Sequence, residues 1–448
     1  MFSRFRTSKL RVAIVGAGPA GFYTLEALLR AEVPIEVDLI DRLPTPFGLI
    51  RGGVAPDHQH TKAVDRAFEL LLSRPEVGYW GDVELGRDVH LAELRGLYDA
   101  VVLTIGAPRD RRLGIEGEDL EGVYGSGAFV GWYNGHPDWL ELDPPLDGAP
   151  AIVVGNGNVA LDIARVLLKT PDEMAASDLS DPAAERIAAG PPCQVTILGR
   201  RGPLQARFTL AELRELGQLA AGPPSILVPA EAPAFPDDAE ELADARERRR
   251  AGRVLRLLKT FQETPGEEAR LRFRFFTRPL EALGEKRIEA LRCRSTAFDA
   301  EGRLVDVGAP FDLPCGLLIT AIGYRSEALE GAPFDAAQGR LLAQGPRLEP
   351  GLYAAGWCLR GPSGVIGSNK HDGDAAAAAL LADVRPAAKP GRLGLRGLLR
   401  GRRRDWIDRE GWRRIDAAEQ AAASAPAPRR KLISYADLRQ AAQEAEQE

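Results

Sequence analysis

The strongest pattern in the sequence is an apolar run followed at once by a glycine-rich turn and then by apolar residues at helical spacing. It first occurs where Arg11–Val15 leads into Gly16–Gly21 and a helical pattern through Leu25–Leu29. Short continuous apolar runs are typical of strands buried on both faces of a parallel sheet. The pattern therefore predicts a strand, a tight turn and a helix.

The turn has the spacing of a dinucleotide-binding loop. In GxGxxG the glycines allow a tight turn, close approach of a pyrophosphate and close packing of helix on strand, and these correspond to Gly16, Gly18 and Gly21. A second predicted strand, Ile35–Ile40, ends in Asp41, where an acid accepts hydrogen bonds from a ribose. An ordinary glycine turn is the simpler alternative, and the strands with Asp41 in register favour the nucleotide loop.

The same pattern recurs in the middle of the chain. Strand Ala151–Val154 leads into Gly155–Ala160, a GxGxxA variant, and a second helical pattern. The next predicted strand, Val195–Leu198, ends near Arg200 and Arg201 instead of an acid, after an extra segment at 170–192. Two guanidiniums there suit the 2′-phosphate of NADP. The alternative is that both arginines are solvated residues of a surface loop.

Two dinucleotide loops in one chain indicate electron transfer between two cofactors, with FAD on the first loop and NADPH on the second. Further apolar runs at Val101–Ala107 and Leu317–Tyr324 lie where the chain would leave the FAD domain and later return to it. The predicted fold is α/β, with two Rossmann-like dinucleotide-binding domains. The NADP domain, residues 109–323, is inserted into an FAD domain formed by 1–108 and 324–448, whose second part carries a C-terminal extension.

Composition narrows the class of protein further. The 448 residues are 45% hydrophobic with a formal net charge of −6, as is typical of a globular protein. A chain of this length is too long for a single hydrophobic core, so more than one domain is expected. The four cysteines have no CxxC or metal-ligand spacing, so no metal site is expected. No apolar run could span a bilayer and no secretory signal is present. We expect a soluble cytoplasmic protein with no nucleic-acid partner, or a mitochondrial matrix protein if the short, acid-free basic start is part of a transit peptide.

Several polar stretches carry weaker predictions. Residues 238–258 are predicted to form a charged helix, and residues 386–404 a Gly- and Arg-rich surface stretch. Residues 421–430 resemble a flexible linker before a short helix at 434–446.

Three longer segments go beyond a generic flavoprotein. They are Pro44–His58, then 199–216 with Gly-Arg-Arg-Gly-Pro and Phe-Thr-Leu-Ala-Glu-Leu-Arg-Glu-Leu, and Gly356–Gly367 with Gly-Trp-Cys-Leu-Arg-Gly-Pro-Ser-Gly-Val-Ile-Gly. Together they resemble the adrenodoxin-reductase-type ferredoxin-NADP reductases, from about Val12 to about Lys431. This resemblance implies an FAD-dependent oxidoreductase in electron transport, which passes hydride from NADPH to flavin and then single electrons to a ferredoxin-type iron-sulfur protein.

The resemblance also implies roles for particular residues. Those implied at FAD are Gly16, Gly18, Gly21, Asp41, Leu49, Leu85, Trp357, Gly364, Val365 and Ile366. Those implied at NADP(H) are Asn156, Gly157, Asn158, Val159, Ala160, Arg200, Arg201 and Glu212, with Gly364 near the nicotinamide. Trp357 is informative because the disulfide-reductase relatives usually carry an acid at that position.

Full turnover moves a proton, so an ionisable pair near the flavin is expected. His58 and Glu215 are the candidate catalytic residues, because histidine titrates near neutrality and a carboxylate can orient it. Glu215 lies three residues after Glu212, on nearly the same helical face. The alternative is that His58 only caps or hydrogen-bonds a loop.

The expected protein partner is an acidic ferredoxin that docks on a basic face. Arg214 matches the partner-binding surface of the family, and the predicted charged helix extends this face through Arg246, Arg249, Arg250 and Arg253. Two other functions compete with the reductase. An electron-transfer subunit of a glutamate-synthase-like complex would usually carry a cysteine-rich N-terminus, and a non-catalytic flavin-fold binding protein would not need a second complete loop.

Overall fold

The structure is a computed structural model that describes residues 9–240, 242–264 and 269–443. Its strands, numbered in chain order, are β1 (Leu10–Val15), β2 (Ile35–Ile40), β3 (Val77–Trp80), β4 (Ala100–Leu103), β5 (Arg109–Asp110), β6 (Val123–Gly125), β7 (Ala151–Val154), β8 (Val195–Leu198), β9 (Ser225–Leu227), β10 (Leu271–Arg274), β11 (Thr277–Leu283), β12 (Ala290–Phe298), β13 (Leu304–Pro314), β14 (Leu317–Thr320), β15 (Tyr324–Arg325), β16 (Phe334–Asp335), β17 (Arg340–Leu341), β18 (Arg347–Glu349) and β19 (Leu352–Ala354).

The α-helices are α1 (Pro19–Leu29), α2 (Leu49–Gly52), α3 (Gln59–Lys62), α4 (Asp65–Leu72), α5 (Leu91–Leu97), α6 (Ser126–Tyr133), α7 (Asn158–Leu168), α8 (Pro171–Met174), α9 (Asp181–Ala189), α10 (Leu210–Leu216), α11 (Ala245–Gln262), α12 (Trp357–Arg360), α13 (Ser368–Asp383), α14 (Arg392–Gly401), α15 (Arg409–Ala421) and α16 (Tyr435–Gln443). Short 3₁₀ turns lie at Pro137–Trp139 and Pro203–Gln205. Within the described ranges, no helix has both the length and the apolar character needed to cross a bilayer.

The chain forms two compact units. The discontinuous unit consists of Met1–Arg109 and Tyr324–Glu448, and the inserted unit of Asp110–Gly323. Each unit has its own mainly parallel sheet and its own hydrophobic core. The fold is α/β with two Rossmann-like domains, one inserted into the other in the sequence.

The sheet of the discontinuous unit has the order β18-β19-β4-β1-β2-β3, and only β18 runs antiparallel to its neighbour. The chain goes from β1 through α1 to β2 on one side, whereas β4 lies on the other side of β1. The carboxyl end of β1 is therefore a switch point, the place where open α/β sheets bind ligands. Helix α13 packs closely on α1, since a Cβ added at Gly373 would lie 2.6 Å from Thr24 N.

The sheet of the inserted unit repeats this plan. Its order is β6-β14-β7-β8-β10-β9, and all of its pairs are parallel. Strand β7 lies between β14 and β8, so its carboxyl end is a second switch point. A three-stranded antiparallel sheet, β11-β12-β13, completes the unit, and the extra segment at 170–192 contains α8 and α9.

The strands predicted from apolar runs are confirmed. Three of them, β2, β7 and β8, have the predicted bounds, whereas β4 and β14 end before the glycines that follow them. The predicted charged helix at 238–258 begins later, at Ala245, because the side chain of Asp244 accepts a hydrogen bond from Glu247 N and caps α11 there.

The prediction of a surface stretch at 386–404 is wrong for its central part. Helix α14 buries Leu395 and Leu399 in the core of the discontinuous unit. Arg392 Nε donates to Asp38 Oδ1 at 2.8 Å, and Asp38 is fully buried in β2. The guanidinium can reach this carboxylate because β3 carries Gly78, where a Cβ would lie 2.1 Å from Asp38 Oδ1.

The prediction of a flexible linker at 421–430 is also wrong. Arg429 Nη1 contacts Asp416 Oδ1 at 2.6 Å and Glu419 Oε2 at 3.3 Å, and Arg430 N donates to Glu419 O at 2.9 Å. Glu419 in turn binds Arg51 of α2, with 2.8 Å between Arg51 Nη1 and Glu419 Oε2. The alanines and prolines of this segment resemble a linker, but the side chains of Asp416 and Glu419 in α15 hold Arg429 in place.

Candidate cofactor-binding sites

The first glycine loop joins β1 to α1, and its three glycines differ in what surrounds them. A Cβ added at Gly16 would lie 2.4 Å from Thr104 O, and one at Gly21 would lie 2.1 Å from Gly16 O. At Gly18 the same test finds one atom within 4 Å, Gly48 Cα at 3.9 Å. The fold therefore requires Gly16 and Gly21, whereas a ligand that approaches the backbone explains Gly18.

Thr104 fixes the position of this loop and was not singled out from the sequence. Its Oγ1 donates to Gly16 O at 2.8 Å and lies 3.0 Å from Val15 O. These contacts connect the end of β4 to the turn after β1. A threonine inside the apolar run, two residues before Gly106, was the signal that could have identified it.

Asp41 follows β2, as predicted, and holds the first loop from the other side. Its Oδ2 accepts from Ala17 N at 2.6 Å, and its Oδ1 accepts from Leu43 N at 2.9 Å. Burial raises the pKa of Asp41, and the two backbone hydrogen bonds counteract this effect. Each carboxylate oxygen has a further lone pair, so Asp41 can shape the loop and still accept from a ribose hydroxyl.

The segment after Asp41 covers the loop. Phe47 N donates to Ala17 O at 2.8 Å, and Phe47 has a φ of 79°, which is unusual for a non-glycine residue. A Cβ at Gly48 would lie 2.9 Å from Gly18 Cα. Leu49 begins α2 with 45% of its surface exposed, and Leu85 is half-buried in the same unit.

Trp357 begins α12 and lies against a second aromatic ring. Its Nε1 donates to Ser363 O at 3.1 Å, and its ring stacks on Tyr324 with centroids 5.8 Å apart and planes 17° apart. Tyr324 was predicted only as the end of an apolar run. The two rings form an aromatic platform in the discontinuous unit.

The turn that contains Gly364 follows this platform. Gly364 has a φ of 84°, and a Cβ there would lie 2.5 Å from Ser368 Oγ. The turn itself therefore requires glycine, independently of a nicotinamide. Val365 is 64% exposed, whereas Ile366 packs against the core.

The second glycine loop joins β7 to α7 and shows the same division of roles. A Cβ at Gly155 would lie 2.2 Å from Ala321 O, whereas one at Gly157 would have no atom within 4 Å. Ala160, in the last loop position, is fully buried. Asn156 Oδ1 is buried and has no hydrogen-bond partner among the residues described, which fits a ligand hydroxyl as donor.

Two hydrogen bonds connect this loop to the segment before α10. Arg207 N donates to Asn156 O at 2.7 Å, and Thr209 N donates to Asn158 Oδ1 at 2.8 Å. Val159 is partly buried and packs on the core of the inserted unit. The loop is therefore fixed from two sides before any ligand binds.

Arg200 and Arg201 follow β8, at the same edge of the sheet. Their carbonyl oxygens accept from Thr296 Oγ1 at 2.7 Å and from Phe276 N at 3.2 Å, respectively. Both side chains are exposed. The backbone is fixed, while the guanidiniums can bind an anion.

Glu212 and Glu215 meet at a buried arginine that sequence reasoning missed. Arg165 is fully buried in α7, with its guanidinium 3.2 Å from Glu212 Oε2, 3.4 Å from Glu215 Oε2 and 2.8 Å from Asp162 Oδ1. The sequence carried a signal for this cluster, because an arginine stands inside an apolar helical pattern three residues after Asp162. The cluster fixes the position of both glutamates on α10.

His58 lies in the discontinuous unit, and Glu215 lies in the inserted unit. The imidazole of His58 is buried, with 9% of the residue exposed. His58 occupies the N-cap position of α3, but its side chain makes no capping hydrogen bond to that helix. Capping of α3 therefore does not explain the histidine.

The predicted basic face includes one continuous stripe. Arg246, Arg249, Arg253 and Arg256 are all exposed and follow one face of α11, while Val254 and Leu258 on the other side enter the core. Arg250 is half-buried, and its Nη2 donates to Ala206 O at 3.1 Å. Arg214 is exposed on α10 in the same unit.

Two Rossmann-like domains, each with a ligand-compatible glycine loop at its switch point, define a two-dinucleotide protein. The family described as pyridine nucleotide-disulphide oxidoreductase matches residues 10–216. The mitochondrial NADPH:adrenodoxin oxidoreductase of Arabidopsis thaliana is 38% identical over 98% of this chain and 97% of its own. The NADPH-ferredoxin reductase FprA of Mycobacterium tuberculosis is 38% identical over 95% of this chain and 98% of its own.

A solved structure of Mycobacterium tuberculosis FprA in complex with NADPH is similar over nearly the whole chain. The TM-score is 0.88 at 36% sequence identity, with 97% of this chain and 99% of the other covered. The chain belongs to the family of NADPH:adrenodoxin oxidoreductases and NADPH-ferredoxin reductases.

Proposed function

We propose that this protein is a ferredoxin-NADP(+) reductase that uses FAD to move electrons between NADPH and a ferredoxin-type iron-sulfur protein. One observation carries the proposal. At the middle glycine of each loop, Gly18 and Gly157, a side chain would meet almost no protein atoms, so the fold does not require glycine there and a bound ligand can explain it. Two such loops in separate sheets fit two dinucleotides. The family identifies the two redox partners, since its members are named for NADPH and ferredoxin or adrenodoxin.

In this proposal each unit holds one cofactor. FAD lies on Gly16, Gly18 and Gly21 with Asp41 at its ribose, and Leu49, Leu85, Trp357, Gly364, Val365 and Ile366 surround the rest. NADPH lies on Asn156, Gly157, Asn158, Val159 and Ala160, with Arg200 and Arg201 at the 2′-phosphate and Glu212 nearby. The bound FAD supplies the redox chemistry, accepting hydride and releasing electrons one at a time. The protein contributes position, orientation and exclusion of water.

The direct test is an anaerobic titration of the purified, FAD-loaded protein with NADPH and, separately, with NADH, followed by flavin absorbance. We expect stoichiometric bleaching by NADPH and much weaker reduction by NADH at the same concentration, because only NADPH carries a group for Arg200 and Arg201. Equal reduction by both nucleotides, or a protein that retains no flavin after reconstitution, would contradict the proposal.

His58 and Glu215 are proposed to move the proton that accompanies hydride transfer. The buried imidazole that does not cap its helix supports a role for His58, and Arg165 fixes the carboxylate of Glu215. His58→Gln is expected to lower turnover about tenfold or more, because an amide cannot take up and release the proton as an imidazole can. The measurement is a pH profile of kcat and KM with the exposed His60→Gln as control. Two superimposable profiles for His58→Gln and the wild type would exclude the catalytic role.

The arginine stripe of α11, with Arg214 and Arg250, is proposed to bind the acidic ferredoxin. Exposed charges act mainly through long-range attraction, which salt screens. Cytochrome reduction through ferredoxin is therefore expected to weaken steeply as ionic strength rises, whereas reduction of a small neutral dye changes little. Reversing one charge, as in Arg249→Glu, is expected to reduce the salt dependence of the ferredoxin assay. An equal salt response in both assays would remove the docking proposal.

We propose a cytoplasmic location, with the mitochondrial matrix as the alternative. Relatives that are named as mitochondrial support the matrix. Bacterial relatives such as FprA support the cytoplasm.

A further inference from the structure

We propose that Arg207 is a third cationic residue for the 2′-phosphate of NADPH and contributes to the choice between NADPH and NADH. This inference rests on the proposed function, because it assigns a residue to the same nucleotide site. Arg207 lies between the 3₁₀ turn Pro203–Gln205 and α10, and 77% of its side chain is exposed. The backbone is fixed, since Arg207 N donates to Asn156 O at 2.7 Å.

Asn156 connects Arg207 to the two predicted arginines. A Cβ added at Gly199 would lie 1.9 Å from Asn156 Nδ2, so the side chain of Asn156 lies against the residue that precedes Arg200. The main chain of Asn156 meanwhile binds Arg207. Gly199, which precedes Arg200, and Arg207 therefore both border one loop residue. From these positions the long side chains of Arg200 and Arg207 can extend to the same anion.

The elements around Arg207 belong to the ligand-binding edge of the sheet. Helix α11 connects the parallel strands β9 and β10, so it begins at the edge where the strands end, as α7 does. The first turns of α11 contact the Arg207 segment twice. Arg250 Nη2 donates to Ala206 O at 3.1 Å, and Arg207 Nη1 lies 3.8 Å from Glu247 Oε1.

The contact with Glu247 does not account for Arg207. Both side chains are more than half exposed and their separation is close to the limit for an ion pair, so the pair adds little stability. A phosphate monoester carries close to two negative charges and three acceptor oxygens, which favours binding by several guanidiniums. Glu247 then acts as a weak competitor of the phosphate for Arg207.

The test uses the FAD-loaded full-length protein and two probes that differ only in the phosphate in question, adenosine 2′,5′-bisphosphate and 5′-AMP. Calorimetry measures their Kd values, and steady-state assays give KM for NADPH and NADH. The variants are Arg207→Ala, Arg207→Lys and Glu247→Gln. Arg303→Ala is the matched control, since Arg303 is 73% exposed and pairs with Asp299 at 2.9 Å in the turn between β12 and β13.

Arg207→Ala is expected to weaken binding of the bisphosphate about fivefold, to leave 5′-AMP unchanged, and to raise KM for NADPH but not for NADH. Arg207→Lys should recover part of the loss, and Glu247→Gln should tighten the bisphosphate about twofold. Equal weakening of both probes, or no change beyond that of Arg303→Ala, would overturn the assignment. If the wild type itself does not prefer the bisphosphate to 5′-AMP, the proposed NADPH site fails, which is a separate result.

Discussion

Gly18→Ala is expected to leave the protein folded and to weaken its binding of FAD. The backbone at Gly18 is extended, with φ −88° and ψ −174°, so alanine fits without strain. The added methyl group would have one protein atom within 4 Å, at 3.9 Å, and would project into the space proposed for the pyrophosphate. Flavin absorbance per protein after reconstitution measures the result, and a loss of affinity of at least about tenfold is expected.

The matched control is Gly21→Ala, three residues further along the loop. There the methyl group would lie 2.1 Å from Gly16 O, so the helix must move away from the strand and the fold itself is destabilised. Melting of the apoproteins separates the two effects, since bound FAD would otherwise stabilise only the wild type. We expect Gly18→Ala to melt within about 2 °C of the wild type. A Gly18→Ala protein with normal flavin content would contradict the proposed position of FAD.

Glu419→Ala is expected to destabilise the discontinuous unit by about 3–5 kcal/mol, the usual cost of breaking a buried ion pair from one side. The carboxylate is fully buried, and the side chains of Arg51 and Arg429 are 12% and 19% exposed. Its removal leaves the largely buried guanidinium of Arg51 without its counter-ion and leaves Arg429 with Asp416 alone. Denaturant unfolding measures the effect. Glu410→Ala in the same helix is the control, because its carboxylate is 51% exposed and should cost less than about 1 kcal/mol.

The same residue predicts a pH dependence. Burial raises the pKa of Glu419, but the charges and hydrogen bonds of Arg51 and Arg429 outweigh it, so the pKa lies below its usual value of 4.5. A lowered pKa means that the stabilisation is complete above about pH 4.5 and is lost as the pH falls through the pKa of the folded state. The wild type should therefore lose its advantage over Glu419→Gln as the medium becomes more acidic. A constant difference between the two down to about pH 3 would contradict this assignment.

Much of the fold could be predicted because the local signals were strong. Apolar runs before glycine loops predicted β1 and β7, because strands buried on both faces are largely apolar. Strands β2 and β8 were also predicted, although β2 contains Glu36 and Asp38. The charged helix was predicted with an early start, because the acidic residues before Asp244 have a similar composition to the helix itself. The two wrong predictions, at 386–404 and 421–430, both concern segments whose order depends on tertiary contacts. Arg392 binds the buried Asp38, and Arg429 binds Glu419, whose other partner is Arg51.

The sequence by itself determined the two glycine loops, the insertion of one dinucleotide domain into another and the family, because each rests on motifs that are continuous runs of residues. The tertiary structure decided which glycines serve the fold and which leave space for a ligand, since that depends on atoms such as Thr104 O and Gly48 Cα. It also decided that Arg392 and Arg429 are partners of buried carboxylates, while Arg207 extends from a fixed backbone beside the second loop. The side chains are chemically alike, and only their surroundings distinguish a counter-ion from a binding group.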